Sequence, residues 1–272
     1  MFVIEKDTFA EVYKSLLMRL FYDPDYVSSP RGMKINEVLD SVFTIRRPEF
    51  NLFLNEVRQP NLKYLKTELE LYFKGKNDID SFAKASRFWA GLANSDGTIN
   101  SAYGFLIFKE YNNAGYNQWN WAYNALMEDS DTRQAFMHFN KPAHQFPENK
   151  DQVCTLNYIF NIRDNKLNAS VIMRSSDLYF GLVYDVPYFT LLQISMLHLL
   201  RKSGKYPDLE LGIYTHHSVS QHIYERNFEE LDKSLSYNFY PDKIPELDAS
   251  PVDQFGNFIG FANDDFSKWM KN

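Results

Sequence analysis

Near the start of the chain the apolar residues keep helical spacing: Phe9, Val12, Tyr13, Leu16, Leu17 and Leu20 share one face. Thr8 stands before them as a helix-capping residue and Asp23-Pro24 closes the run, so a helix is predicted between these limits. A polar loop from Tyr26 to Lys34 carries Arg31-Gly32, and Glu37 to Arg46 then alternates as a strand does. Pro60 opens a second helix, with Leu62, Leu65, Leu69, Tyr72 and Phe73 on its apolar side, Glu68 near that stripe and Gly75 as its stop.

Two β-rich runs, TLNYIFNI and LNASVIM, flank the turn-like Arg163-Asp164-Asn165-Lys166, and together they predict a hairpin over 155–173. Cys154 and Arg174 then stand just outside its two open ends. Tyr188 to Leu200 is apolar nearly all round, which predicts a centrally buried helix ending at Lys202-Ser203-Gly204. Strands and long helices without βαβ alternation point to an α+β fold.

Composition narrows the picture. At 272 residues, 44% of them hydrophobic and 24% charged, the chain can bury a sizeable core, and without repeats or a Gly/Ser-rich linker it reads as a single domain over 1–272. A net charge of −6 argues against a broad nucleic-acid footprint, so any anionic partner must be held by a local basic pocket. The start of the chain lacks a basic-then-apolar signal, and the apolar stretch from Val183 to Leu200 is interrupted by Asp185, Pro187, Gln193 and His198, which is too polar for a membrane span. A cytoplasmic protein is expected. Aromatic residues make up 17%, enough to supply ring stacking as well as core.

The candidate chemistry begins with the lone Cys154, which by itself is either a small buried hydrophobe or a nucleophile. A thiolate needs a positive neighbourhood, and the hairpin offers Arg174. The run Arg174-Ser175-Ser176-Asp177 supplies a guanidinium, hydroxyls and a carboxylate, a set that suits either a phosphate or a surface ion pair. No dinucleotide, P-loop or hydrolase-elbow motif occurs, and His216, His217 and His222 lack the partners of a metal site. The cluster Tyr111, Tyr116, Trp119, Trp121 and Tyr123 reads as core or as a stacking platform. Asn168-Ala169-Ser170 is a glycosylation sequon by pattern only.

Several of these features recur together. Cys154, twenty residues of hairpin, Arg174-Ser175-Ser176-Asp177 with Gly181, and later Gln221-His222-Ile223-Tyr224 resemble the thymidylate synthase superfamily. So do Glu68 in TELELYFKG, Phe88-Trp89 before Asp96-Gly97, and Tyr103-Gly104 in NSAYG. The resemblance spans roughly residues 25 to 235, and ELELY, INSAYG, IRDNKLNA and MRSSDLYFG look like its phage deoxycytidylate hydroxymethylase branch. Asp185 stands where the synthases resemble one another in carrying Asn. An amide complements uracil, whereas a carboxyl group complements the reversed donor and acceptor face of cytosine.

The resemblance implies a large mixed, twisted β-sheet with packed helices, one sheet face forming a homodimer interface. It implies dCMP as substrate, 5,10-methylenetetrahydrofolate as co-substrate and no metal. Cys154 would attack the pyrimidine ring, with Asp185 assisting and Glu68 and Tyr103 in proton transfer. Arg174, Ser175, Arg31 and the partner subunit's Arg133 would hold the phosphate, and His222 and Tyr224 the sugar. Trp89, Asp177 and Gly181 would lie at the folate. The chain departs from the common pattern at Arg133-Gln134, where a double arginine is usual, at Thr155, and at Glu225-Arg226-Asn227. Competing expectations are a dUMP hydroxymethylase, a thymidylate synthase, or a nucleotide-binding protein without turnover.

Overall fold

In the computed structural model, which describes residues 1–262 and 265–271, Thr8 separates strand β1 (Phe2–Lys6) from helix α1 (Phe9–Tyr22) through a capping box. Its hydroxyl accepts from the Glu11 N–H while its own N–H donates to the Glu11 carboxylate at 3.0 Å, satisfying two amides that a helix start leaves orphaned. Phe9, Val12, Tyr13, Leu16, Leu17 and Leu20 are buried, the face that the apolar spacing predicts. After β2 (Tyr26–Ser28) the next strand, β3, runs Ile35–Ile45. It is followed by β4 (Leu52–Leu54) and helix α2 (Leu62–Phe73), which Asn61 caps by accepting from the Tyr64 N–H at 3.0 Å. Gly75, at φ +63°, closes α2: its N–H donates to the Tyr72 carbonyl at 2.9 Å and that of Lys76 to Leu71 at 3.0 Å.

Short elements come next: helix α3 (Ile79–Ala85), a 3-10 turn at Arg87–Gly91, and helices α4 (Tyr103–Phe108) and α5 (Gln118–Glu128). Strand β5 (Phe136–His138) precedes the hairpin of β6 (Thr155–Arg163) and β7 (Lys166–Met173). Its two-residue loop, Asp164-Asn165, has φ of 49° and 55°, the left-handed pair of a type I′ turn that matches strand twist. The two-residue strand β8 (Ser176–Asp177) leads to helix α6 (Leu182–Lys202), strand β9 (Glu210–Tyr224), helix α7 (Phe228–Leu235), strand β10 (Tyr240–Asp242) and helix α8 (Asp265–Lys271).

Eight of the described strands belong to a mixed sheet and two, β4 and β10, pair separately, an α+β architecture. The chain divides into two compact units, the first comprising 1–60, 169–192 and 211–245 and the second 61–168, 193–210 and 246–272. In the first unit β1 runs parallel to β3, β2 and β9 run antiparallel to β3, and β8 lies parallel beside the end of β9. In the second, β5 pairs antiparallel with β6 and α4 packs on α2.

Helix α6 starts six residues before the predicted Tyr188, and Pro187 sits inside it. The proline removes one helix bond, to the Val183 carbonyl, but the apolar burial of Leu182, Val183, Val186, Tyr188 and Phe189 outweighs that local loss. Strand β9 carries His216, His217 and His222 among serines, so its alternation is hard to see in the sequence.

Of the glycines in the second unit Gly104 is the most closely approached, since a Cβ there would lie 1.7 Å from the Tyr72 carbonyl oxygen. Gly104→Ala is therefore expected to push α4 off α2 and cost about 3 kcal/mol or more. A urea midpoint unchanged from wild type would show that the helices can separate without loss.

Candidate functional site

Glu68 lies on the buried face of α2 together with Leu65, Leu69 and Tyr72. The Tyr64 hydroxyl, one turn before it, donates to Glu68 Oε1 at 2.5 Å, and the Tyr72 hydroxyl, one turn after, donates to the same oxygen at 3.4 Å. Trp89, on the 3-10 turn, donates its indole N–H to the Tyr64 oxygen at 3.2 Å. Burial pushes the Glu68 carboxyl up to about 7, against the pull of the two tyrosine hydroxyls. Glu68 and Trp89 are thereby joined through Tyr64. Tyr103 opens α4 and stacks on Tyr72 with ring centres 5.4 Å apart, so it shares this cluster.

Cys154 is half-buried, immediately before β6. The segment leading to it is clamped by the NSAYG stretch. Asn100 donates to the Asp151 carbonyl at 3.2 Å and to Asn149 at 3.1 Å, the Ser101 N–H reaches the Asp151 carboxylate at 2.7 Å, and Asn140 donates to the Val153 carbonyl at 2.9 Å. Burial raises the Asp151 carboxyl, and the Ser101 hydrogen bonds oppose the rise. These bonds hold the main chain up to Val153 and so fix where Cys154 projects.

In the first unit β8 lies on β9 with Ser176 opposite Gln221 and Asp177 opposite His222. This register makes Asp177 and His222 neighbours. Burial pushes the Asp177 carboxyl up and the His222 imidazole down, and the attraction between them opposes both movements. Gly181 is placed by its N–H bond to the Asp177 carbonyl (2.9 Å), and the Asp185 N–H bonds the Gly181 carbonyl at 3.0 Å in the first turn of α6. A Cβ on Gly181 would lie 3.1 Å from the Asp177 carbonyl and 3.4 Å from Asp185 Oδ2, so the two segments approach closely over this glycine. Arg58, buried, pins the stretch between them by donating to the Tyr179 carbonyl at 2.5 Å and lying 4.1 Å over its ring.

Arg174 is exposed at the end of β7, close enough to His222 to disfavour its protonation, and Ser175 beside it is half-buried. The rings of His222 and Tyr224 meet edge to face at 5.2 Å. Arg226 lies 4.6 Å over the Tyr224 ring, and its charge opposes the upward push of burial on the Asp177 carboxyl. Arg31 sits on an exposed turn at φ +54°, and the loop after it reaches the same region through the Lys34–Glu225 ion pair at 2.5 Å. The first unit thus gathers Arg174, Ser175, Asp177, Gly181, Asp185, His222 and Tyr224, with Arg226 added. Arg133 occupies an exposed loop between α5 and β5 of the second unit, which also holds Glu68, Trp89, Tyr103 and Cys154.

Tyr64, Tyr72, Asp151 and Arg226 escape a motif reading. The first two were accessible as the i−4 and i+4 neighbours of Glu68, and Arg226 as the cation two residues beyond Tyr224. His216 is core, stacked on Phe43 at 4.8 Å and pushed down to about 3 by burial. The aromatic cluster divides: Trp119 is fully buried, whereas Tyr111, Tyr116 and Trp121 border a groove of about 400 Å³ that contains no predicted site residue. Among the described residues no three His, Cys, Asp or Glu side chains group as metal ligands, and no helix is long and apolar enough to cross a membrane.

A half-buried cysteine thus stands directly before the β6–β7 hairpin, and the Arg-Ser-Ser-Asp run follows it. The chain belongs to the thymidylate synthase family, whose model matches residues 12–268. It is 30% identical over 216 residues to the deoxycytidylate 5-hydroxymethyltransferase of Enterobacteria phage T4, covering 77% of this chain and 84% of that protein. It is 25% identical over 252 residues to the deoxyuridylate hydroxymethyltransferase of Bacillus phage SP01, covering 88% of this chain and 64% of that one. A putative thymidylate synthase of Methanothermobacter thermautotrophicus is 26% identical over 239 residues, covering 86% of this chain and 98% of its own length. Family membership makes the chain a folate-dependent enzyme of pyrimidine nucleotides.

Folded Glu68 keeps its proton up to about pH 7, whereas the unfolded side chain releases it near 4.5. Between these limits the folded state binds more protons, so stability falls as pH rises. Glu68→Gln, with no proton to lose, is expected to gain about 3 kcal/mol relative to wild type between pH 4 and pH 8. Urea unfolding at both values checks this, and a difference that does not change with pH would remove the buried-acid account.

Proposed function

We propose that the chain converts dCMP, 5,10-methylenetetrahydrofolate and water to 5-hydroxymethyl-dCMP and tetrahydrofolate. The carrying observation is Asp185: its carboxyl stands beside Gly181, whose N–H bonds the Asp177 carbonyl, and the resemblance to the synthases puts their amide at this position. When protonated, a carboxyl donates to the cytosine ring nitrogen and accepts from the exocyclic amine, a pattern uracil does not present. The phage T4 relative supports the same reading.

Cys154 Sγ, as thiolate, adds to ring carbon 6 and makes carbon 5 nucleophilic. Carbon 5 takes up the one-carbon unit, which the folate co-substrate supplies as a methylene. The residue types at Trp89 and Asp177 fit such a ligand: a largely buried indole, and a carboxyl that burial inclines to hold a proton and so to donate as well as accept. Once Tyr103 has taken the carbon 5 proton and passed it to the amine of the departing tetrahydrofolate, Glu68 orients a water toward the exocyclic methylene and accepts its proton. The C–S bond to Cys154 then breaks and the thiolate returns. A carboxyl poised at about 7 suits that proton transfer at neutral pH. Arg174, Ser175 and Arg31 hold the phosphate by charge-assisted bonds, helped by the partner subunit's Arg133 in a homodimer, with His222 and Tyr224 at the sugar.

A second reading, hydroxymethylation of dUMP, is favoured by the likeness to the SP01 protein, and its methylation by the likeness to the putative thymidylate synthase. Incubation with methylenetetrahydrofolate and each nucleotide, followed by mass analysis, separates the two: 5-hydroxymethyl-dCMP is expected, and thymidylate as main product overturns the proposal. Cys154→Ser is expected to bind dCMP and make no product. Asp185→Asn is expected to move the kcat/KM preference toward dUMP by about a hundredfold; a retained cytosine preference would remove Asp185 as the base reader.

A further inference from the structure

An indole N–H can only donate. Because Trp89 Nε1 points at the Tyr64 oxygen at 3.2 Å, that oxygen accepts, and its own hydrogen is directed to Glu68 Oε1 at 2.5 Å. The Tyr72 hydroxyl donates to the same Oε1. A carboxyl oxygen that accepts from two hydroxyls is a poor place for a proton, which therefore resides on the other oxygen. We propose that Tyr64, oriented by Trp89, is a positioning residue that holds Glu68 with Oε1 as a standing acceptor and Oε2 as the oxygen that gains and loses the proton during turnover. The turnover part rests on the function proposed above.

The surroundings of Glu68 leave this control to the hydroxyls. From α2 itself Tyr64 and Tyr72 face it; from α4, Tyr103 stacks on Tyr72; from α3, Phe82 packs against Tyr72 and Trp89. Asp80 and Lys84 of α3 and Arg87 beside Trp89 are exposed, Glu70 and Lys74 of α2 pair with each other, and on α8 Asp265 and Lys268 do the same. Burial and the two hydroxyls are what act on the Glu68 carboxyl. Each hydroxyl favours the ionised form, so losing one lets burial raise the midpoint further.

The test titrates the Glu68 carboxyl directly in the full chain labelled with carboxyl-¹³C glutamate, the resonance being assigned by its loss in Glu68→Gln. Tyr64→Phe is expected to raise the midpoint by about one pH unit, the effect of one charge-assisted hydrogen bond. Trp89→Phe, which leaves the Tyr64 hydroxyl free to rotate, is expected to raise it by less and serves if Tyr64→Phe does not fold. The acidic limb of the kcat–pH profile is expected to move with the midpoint in each folded variant. An unchanged midpoint in the folded variants overturns the proposal, as a purely structural tyrosine would lower kcat without moving the titration. A wild type inactive on every pyrimidine nucleotide overturns the proposed function instead and leaves the titration to judge the hydrogen-bond chain alone.

Discussion

The hydrogen bonds that the Tyr64 and Tyr72 hydroxyls make to Glu68 Oε1 are the interaction around which the second unit is arranged. A carboxyl on the apolar stripe of a helix is costly unless it is neutral or hydrogen-bonded. Here both occur, with partners one helical turn to either side. Tyr72 must then sit where its hydroxyl reaches back, and its ring is kept there by Tyr103 on one helix and Phe82 on another. Gly104 is forced by the same arrangement, because α4 meets the backbone of α2 at Tyr72. The acid, the aromatic layer over it and the glycine at 104 are parts of one packing solution.

The first unit solves a different problem, the assembly of charge in a protein of net charge −6. Its solution is local. The pairing of β8 on β9 sets Asp177 beside His222, and Arg174 and Arg226 approach from the ends of neighbouring strands. Cations so concentrated create a local positive field without a basic surface. Glu225, next to Arg226, pairs with Lys34, which ties the Arg31 turn to the same edge.

Much of this was legible in the chain. The Thr8 cap, the α1 face, the helix after Pro60 that Gly75 closes and the hairpin follow from short-range rules, because capping, helical spacing and turn residues act within a few positions; that Asn61 caps this helix came from the structure. The start of α6 was not legible, since Pro187 is a local stop that only the burial of the residues before it overrides. Strand β9 was hidden for a related reason: buried His216 and Ser218 look polar in sequence and are core in fact.

For the site, the sequence by itself determined which groups are present: a lone cysteine, the Arg-Ser-Ser-Asp run, a carboxyl at 185 and a glutamate on an apolar helix. Those are properties of residue type and spacing. Only the tertiary structure decided their chemical state. Glu68 becomes an acid with its midpoint near neutrality because folding removes its water while two tyrosines supply hydrogen bonds. Asp177 and His222 become neighbours because strands 45 residues apart in sequence fall into one register. Burial and register depend on every element that packs around them, so no local stretch of sequence carries them.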